Sequence, residues 1–435
     1  VSGPGERTVT SGEAPARTDL RSRTDPRSRT DGLGWVTRAV FGDRRIALTV
    51  GEPPPPGHQV VARYAVVPSV RRARFLLPLG APRATAAALL AYNALRPPKI
   101  RAVRAVLGGL ARLGVLDLAP LPTLTVSLPD GVPAAEALLA DRLAAGLGGQ
   151  RVYAACGVRP PDPNHKPTLQ LFDGAGRPVG YAKIGWNGAT RALVRAEAAA
   201  LGDLPSVTGV PDHPAAPRLL AATEVADSVI ALVEPLPPAV RGVPVDDPPR
   251  LPALLAVARR GRPPAPARPL SGSSFLARLA AEADRSAAGT PDGARAVAAV
   301  AALADRHAGT AVEFGHWHGD WVPWNLGVHA GRLVAWDWEH SAPDVPLGFD
   351  LAHDAFQRAL VLRGEPAASA AAAVDAQLDR CGAGLGLDPA RRRLVADAYL
   401  LEMWLRTWRL ADAGAGWNDA LHPALLDVVE KRHSG

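Results

Sequence analysis

The segment His318-Gly319-Asp320-Trp321-Val322-Pro323-Trp324-Asn325, with Trp336-Asp337-Trp338-Glu339 after it, constrains this chain more than any other. Between Asn325 and Asp337, two short apolar runs flank Ala330-Gly331, which is the pattern of a hairpin. With Gly331 at the tip, Asn325 and Asp337 lie equally far from it and face one another, so a cation between them would be held from both strands. The residue types suit phosphoryl transfer, which needs a carboxylate to orient the attacking hydroxyl and oxygen ligands to hold Mg²⁺ on the phosphates. Asp320 fits the first role, and Asn325 and Asp337 fit the second.

His-Gly-Asp-x-x-x-x-Asn followed by a hydrophobic strand ending in Asp resembles the catalytic and metal-binding loops of the aminoglycoside phosphotransferase family. That family is related to choline and sugar kinases and has a protein-kinase-like fold. Gly348-Phe349-Asp350-Leu351-Ala352 stands where the family carries a Gly-x-Asp-Leu-Ala type of segment. Protein kinases have Arg between His and Asp, and Phe-Gly after the metal Asp. Gly319 and Trp338-Glu339 replace them here, which favours a small-molecule kinase. The resemblance implies Asp320 as the catalytic carboxylate, His318 and Asp350 as braces of its loop, and Asn325 and Asp337 as ligands of Mg²⁺. It also implies an α+β bilobal fold, with a small β-rich lobe ahead of a mostly helical one.

A small lobe needs a Lys for the nucleotide phosphates, and the chain offers few. Among 49 basic residues only Lys99, Lys166, Lys183 and Lys431 are Lys. Lys183 lies in the strand-like run Pro178–Trp186, after the turn Asp173-Gly174-Ala175-Gly176 and the partner run Leu169–Phe172. Glu197 follows in Thr190–Leu201, whose apolar positions suit an amphipathic helix, and could hold Lys183 through an ion pair. Ser228–Val233 reads as a buried strand, and Pro235 turns the chain into an extended hinge. In the family, hinge backbone groups bind adenine, so Glu234 and Leu236 are expected as neighbours of ATP, with GTP also possible. Where a glycine-rich phosphate cover would stand, the chain has Arg159-Pro160-Pro161-Asp162-Pro163-Asn164-His165-Lys166-Pro167. Pro has no N–H, so this loop cannot cradle phosphates with a row of amides. Arg159 or Lys166 would have to supply charge instead, or the loop is simply a solvated basic one.

The central segment admits two other readings. His316-Trp317-His318-Gly319-Asp320 fits the start of a metallo-hydrolase ligand set, but Trp321 stands where a further His is usual, and Asn325 and Asp337 would have no role. Eight of the ten Trp lie after residue 316, so an ordinary Trp-rich core is the bland alternative; the full spacing argues against it. At the level of function, a catalytically idle kinase fold that binds a nucleotide or partner is the alternative to an enzyme.

The 435 residues leave room for more than one domain. Residues 1–33 are polar and repetitive and read as a disordered tail, 34–145 as an N-terminal α+β cap-like region, 146–234 as the small lobe and 235–435 as the helical lobe. Helices are expected near 84–95 and 99–113, and then at 251–260, 275–283, 294–306, 352–362, 367–380 and 391–412. A net charge of +7 could suggest nucleic acid, yet from residue 235 onward about 21 basic residues meet about 23 acidic ones, so the catalytic part carries no such signal. No apolar run approaches the roughly 20 residues that span a bilayer. Cys156 and Cys381 form no disulfide or metal pattern, which makes a reducing cytoplasm the expected setting. The expected partner is a small hydroxyl-bearing acceptor, an aminoglycoside, sugar or choline-like alcohol; Glu339, Asp344 and Asp354 are placed to meet its polar groups. Oligomeric state is not legible.

Overall fold

In the computed structural model, which describes residues 25–91, 95–207, 209–288 and 290–434, nine strands from both sides of residue 145 share one sheet. They are β1 (Ala47–Val50), β2 (His58–Val67), β3 (Phe75–Pro78), β4 (Thr123–Pro129), β5 (Tyr153–Gly157), β6 (Thr168–Phe172), β7 (Pro178–Gly185), β8 (Leu219–Val225) and β9 (Ser228–Val233). The order is β1-β4-β2-β3-β5-β6-β7-β9-β8, and every neighbouring pair is antiparallel. Side chains alternate between the two faces of a strand. Ala182 and Ile184 therefore join one core with Tyr64, Val66, Leu128, Ile230 and Leu232, while Tyr181 joins the core on the opposite face.

Helix α1 (Gly32–Val40) covers the first of these faces, burying Leu33, Trp35 and Val36. Asp31 caps it by accepting from the Gly34 N–H, and the preceding Pro26–Ser28 forms a tight turn capped by Asp25. Residues 25–33 are thus ordered, which corrects the tail expected over 1–33 for that portion; residues 1–24 lie outside the described residues. Composition misled here because capping residues and disorder-promoting residues are the same types. On the opposite face lie α2 (Pro82–Leu90) and α3 (Pro98–Arg112); the last part of the helix expected over 84–95 includes residues 92–94, outside the described residues. Helix α4 (Leu139–Gly146) and the C-terminal α12 (Leu421–Ser434) are further elements without a reading in the sequence.

Between them, α5 (Gly188–Asp203) packs on β7 and β9, and the helical lobe follows with α6 (Leu251–Arg259), α7 (Ser274–Ala287), α8 (Pro291–Arg306), α9 (Phe349–Gln357), α10 (Ala367–Cys381) and α11 (Pro389–Asp412). This succession of a β-rich part and a helical lobe is the α+β arrangement that the sequence resemblance implies. Helix α11 starts with Asp388 as cap and Pro389 in its first turn. From Leu394 to Arg406 it is buried all round, as a helix through the middle of a lobe must be. Among the described residues no helix is long and apolar enough to cross a membrane.

Candidate active site

Four short strands carry the central segment: β10 (Phe314–Trp317) pairs with β13 (Ala342–Pro346), and β11 (Leu326–His329) pairs with β12 (Arg332–Ala335). The tip of the second pair is a two-residue turn, with Ala330 at φ 48° and Gly331 at φ 79°. Leu326 pairs with Ala335, and the Trp336 N–H donates to the Asn325 carbonyl at 3.1 Å. Asn325 therefore faces Trp336, not Asp337, because a tip made of two residues shifts the register by one. Asp337 reaches the site by another route: its φ of 64° turns the chain out of the strand and aims its carboxylate at Lys183.

The loop from His318 to Asn325 is held on all sides. Asp350, at the start of α9, accepts from the His318 N–H at 2.7 Å and the Gly319 N–H at 3.0 Å. Gly319 has φ 80°, and a Cβ there would lie 2.1 Å from the His340 carbonyl oxygen, so conformation and space both require glycine. The Arg406 guanidinium, buried on α11, donates to the Gly319 carbonyl at 2.6 Å. His318 is fully buried, which pushes its pKa down to about 4 and keeps the ring neutral. Its Nδ1 accepts from the Asp320 N–H at 3.2 Å and its Nε2–H donates to the Trp336 carbonyl at 3.1 Å, so one tautomer satisfies both neighbours.

Both oxygens of Asp320 are engaged. Oδ2 accepts from the Asn325 amide at 2.6 Å, and Oδ1 accepts from His353 Nε2 at 3.1 Å. The Tyr399 hydroxyl meets His353 Nδ1 at 3.0 Å, and the complementary assignment is Tyr399 donating to a ring protonated at Nε2. Burial alone would raise the Asp320 pKa; the His353 hydrogen bond, with the charge of Arg406 nearby, outweighs it and holds the carboxyl well below the usual range. His353, Tyr399 and Arg406 were not singled out from the sequence. His353 could have been, since it lies one helical turn after Asp350, whereas Tyr399 and Arg406 arrive from a helix that no local pattern connects to the loop.

Lys183 comes from the small lobe. Its Nζ donates to Glu197 Oε1 at 2.6 Å and also to Asp337 Oδ1, so one ammonium joins α5 to Asp337 of the helical lobe. Burial would lower the Lys183 pKa, but Asp337 and Glu197 outweigh it and the group is held as a cation. Glu197 is in place because the Asn187–Thr190 capping box starts α5 immediately after β7, and because Gly185 has no side chain to keep the helix off the strand. A Cβ on Gly185 would approach Arg191 Cα to 2.7 Å.

Other expected residues are placed as follows. Glu234 follows β9 directly, with its N–H on the Arg218 carbonyl at 2.8 Å and its carboxylate on the Arg218 guanidinium at 3.2 Å; Leu236 lies half-buried in the extended segment after it. Lys166 pairs with Glu339 at 2.6 Å, tying the Pro-rich loop to the segment after Asp337. The Arg159 carbonyl accepts from Trp35 Nε1 at 2.9 Å, and Trp35 also packs edge-on to His165, so α1 pins this loop from above. Asp344 pairs with Arg268 at 2.6 Å and Asp354 with Arg358 at 2.8 Å. Their carboxylates are thus already engaged within the protein.

Asn325 and Asp337 offer hard oxygen donors of the kind Mg²⁺ takes. Among the described residues no group of three or more His, Cys, Asp or Glu is arranged to hold a metal alone. Two protein donors with the remainder from phosphate and water is the usual arrangement for this cation, so the residues present fit it.

No protein-family model matches the chain, and no curated protein matches it. Solved structures similar to it include the aminoglycoside phosphotransferase APH(4)-Ia, at 14% identity over 67% of this chain and 96% of that one, with a TM-score of 0.42. The choline kinase LicA from Streptococcus pneumoniae is similar at 13% identity over 69% and 99%, with a TM-score of 0.41. A putative fructosamine-3-kinase from Haemophilus somnus 129PT is similar at 12% identity over 67% and 94%, with a TM-score of 0.38. Similarity at this level carries no information on substrate, and the chemistry rests on the site's own geometry.

Proposed function

We propose that the chain is a small-molecule kinase that transfers the γ-phosphate of ATP or GTP, with Mg²⁺, to a hydroxyl of a sugar, aminoglycoside or similar polar acceptor. One observation carries this reading: Lys183 from one lobe joins Glu197 and Asp337, and the Asn325–Asp320 pair lies beside Asp337, with the Trp336 N–H on the Asn325 carbonyl and the Asp320 charge acting on the Asp337 carboxyl. In it, residues 34–145 extend the small lobe of 146–234, and 235–435 supply the catalytic and acceptor side.

Asp320 receives or orients the hydroxyl proton, with His353 and Asn325 fixing the plane of its carboxylate. Lys183 neutralises phosphate oxygens in place of its contact with Asp337, while Glu197 keeps the ammonium in position. The Asn325 amide oxygen and an Asp337 oxygen would hold Mg²⁺, which when bound neutralises charge on the phosphates. The extended segment at Glu234 and Leu236 would bound the nucleotide base, and Arg159 of the Pro-rich loop would contribute positive charge to the phosphates.

The test is calorimetric titration with non-hydrolysable ATP and GTP analogues, with and without Mg²⁺, beside Asp337→Ala. Mg²⁺-dependent binding that the variant loses supports the reading. Absence of binding by a folded sample removes it in favour of an idle fold, which the pinned Pro-rich loop would then explain.

A further inference from the structure

Among the described residues nothing covers one apolar face of helix α3. Arg104, Gly108 and Ala111 point inward, with the Arg104 guanidinium over the Phe75 ring at 5.8 Å and Gly108 against Leu90. Ile100, Val103, Val106, Leu107, Leu110 and Leu113 are all exposed, up to 80% at Leu113. At about 100° per residue these six fall in one continuous sector of the helix. Together they expose roughly 600 Å², the upper end of what a monomer ordinarily shows as a single patch.

The positions read the same in both directions. Reversed about the point between Val106 and Leu107, Ile100 falls on Leu113, Val103 on Leu110 and Val106 on Leu107. A two-fold axis demands this self-complementarity, because each residue that meets another must be met by it in return. We infer that α3 forms an isologous dimer contact, packing antiparallel against α3 of a second copy of this chain about an axis near Val106 and Leu107.

Area and charge both fit this occupant. The exposed area of the six is of the order of the roughly 800 Å² that each partner buries in a stable pair. The helix carries Lys99, Arg101, Arg104 and Arg112 and no acid, so like charges would oppose pairing if they lay at the seam. Arg101 and Arg112 fall on the far side of the helix axis from the stripe, and Arg104 faces the body of the protein. Lys99 falls within the angular sector of the stripe, at its N-terminal end, and antiparallel pairing brings it to the partner helix's C-terminal end, where a cation is favoured.

Sedimentation velocity of the full chain tests the inference. The expected result is twice the 45.4 kDa chain mass for the wild type, and 45.4 kDa for Val106→Asp/Leu110→Asp with unchanged circular dichroism. The antiparallel axis predicts that Val106→Cys cross-links on oxidation, whereas Ile100→Cys, about 20 Å from its symmetry mate at a rise of 1.5 Å per residue, does not. A wild type that stays monomeric overturns the inference, including one that instead floats with anionic phosphatidylserine vesicles. So does a double variant that remains dimeric, or cross-linking at Ile100→Cys without cross-linking at Val106→Cys.

Discussion

Tyr399 decides which ring nitrogen of His353 carries its proton, and so whether Asp320 faces a donor or a lone pair. Tyr399→Phe removes the donor to Nδ1 and lets the ring adopt the other tautomer, which turns a lone pair toward the carboxylate. Turnover is expected to fall about ten- to a hundredfold, the usual effect of removing an orienting partner, while the nucleotide dissociation constant stays put. Asp320→Asn should cut turnover by about 10²–10⁴-fold, again with nucleotide binding retained, as single-turnover assays and titration would show. If both variants lose stability in parallel with activity, the cluster is structural. Lys183 was legible in the sequence because Lys is scarce in this chain, whereas His353, Tyr399 and Arg406 act through contacts that join residues far apart in sequence.

The loop from His318 to Asn325 and the hairpin after it give two further predictions at the level of an element. Gly319→Ala meets both a positive φ and the His340 carbonyl, and is expected to cost about 2–4 kcal/mol in chemical denaturation. Gly331→Ala has a similar φ but nothing within 4 Å of the new Cβ, so its cost should stay near 1 kcal/mol. Acid should also weaken the loop through His318. Its pKa in the folded chain is pushed down to about 4, below the 6.5 of an unfolded chain, so the folded state binds fewer protons. The stability this contributes is complete above pH 6.5 and is lost as pH falls through 4, with a ceiling of about 3 kcal/mol. His318→Gln should flatten the difference between denaturation midpoints at pH 7 and pH 4; an unchanged slope would assign the acid sensitivity elsewhere. At this scale the helical periodicity of α6 to α11 and the hairpin were legible. The register of that hairpin was not, because the number of residues in its tip depends on Ala330 adopting a left-handed conformation that alanine does not advertise.

At the scale of the molecule, the sheet joins what the sequence separates. Ala154, Ala182, Ile184, Ile230 and Leu232 of the small lobe share one core with Leu33, Trp35, Leu48, Val66 and Leu128 of the region before it, and β5 is hydrogen-bonded to β3. The boundary read at residue 145 follows a change in motif content, but hydrogen bonding between strands is indifferent to motif. A chain starting at residue 146 would expose the edge of β5 and the whole of that apolar face. It is expected to aggregate on expression, although every proposed catalytic residue is retained. Trp35→Phe probes the same dependence more gently: it keeps the apolar packing and removes the donor to the Arg159 carbonyl. A loss of about 1 kcal/mol in stability should accompany it, as for one hydrogen bond. If the pinned loop supplies charge to the phosphates, nucleotide binding should weaken by more than this global loss can explain. Unaltered binding in Trp35→Phe, with an aggregating truncation, would show that the N-terminal region serves the sheet and leaves the nucleotide to the residues behind it.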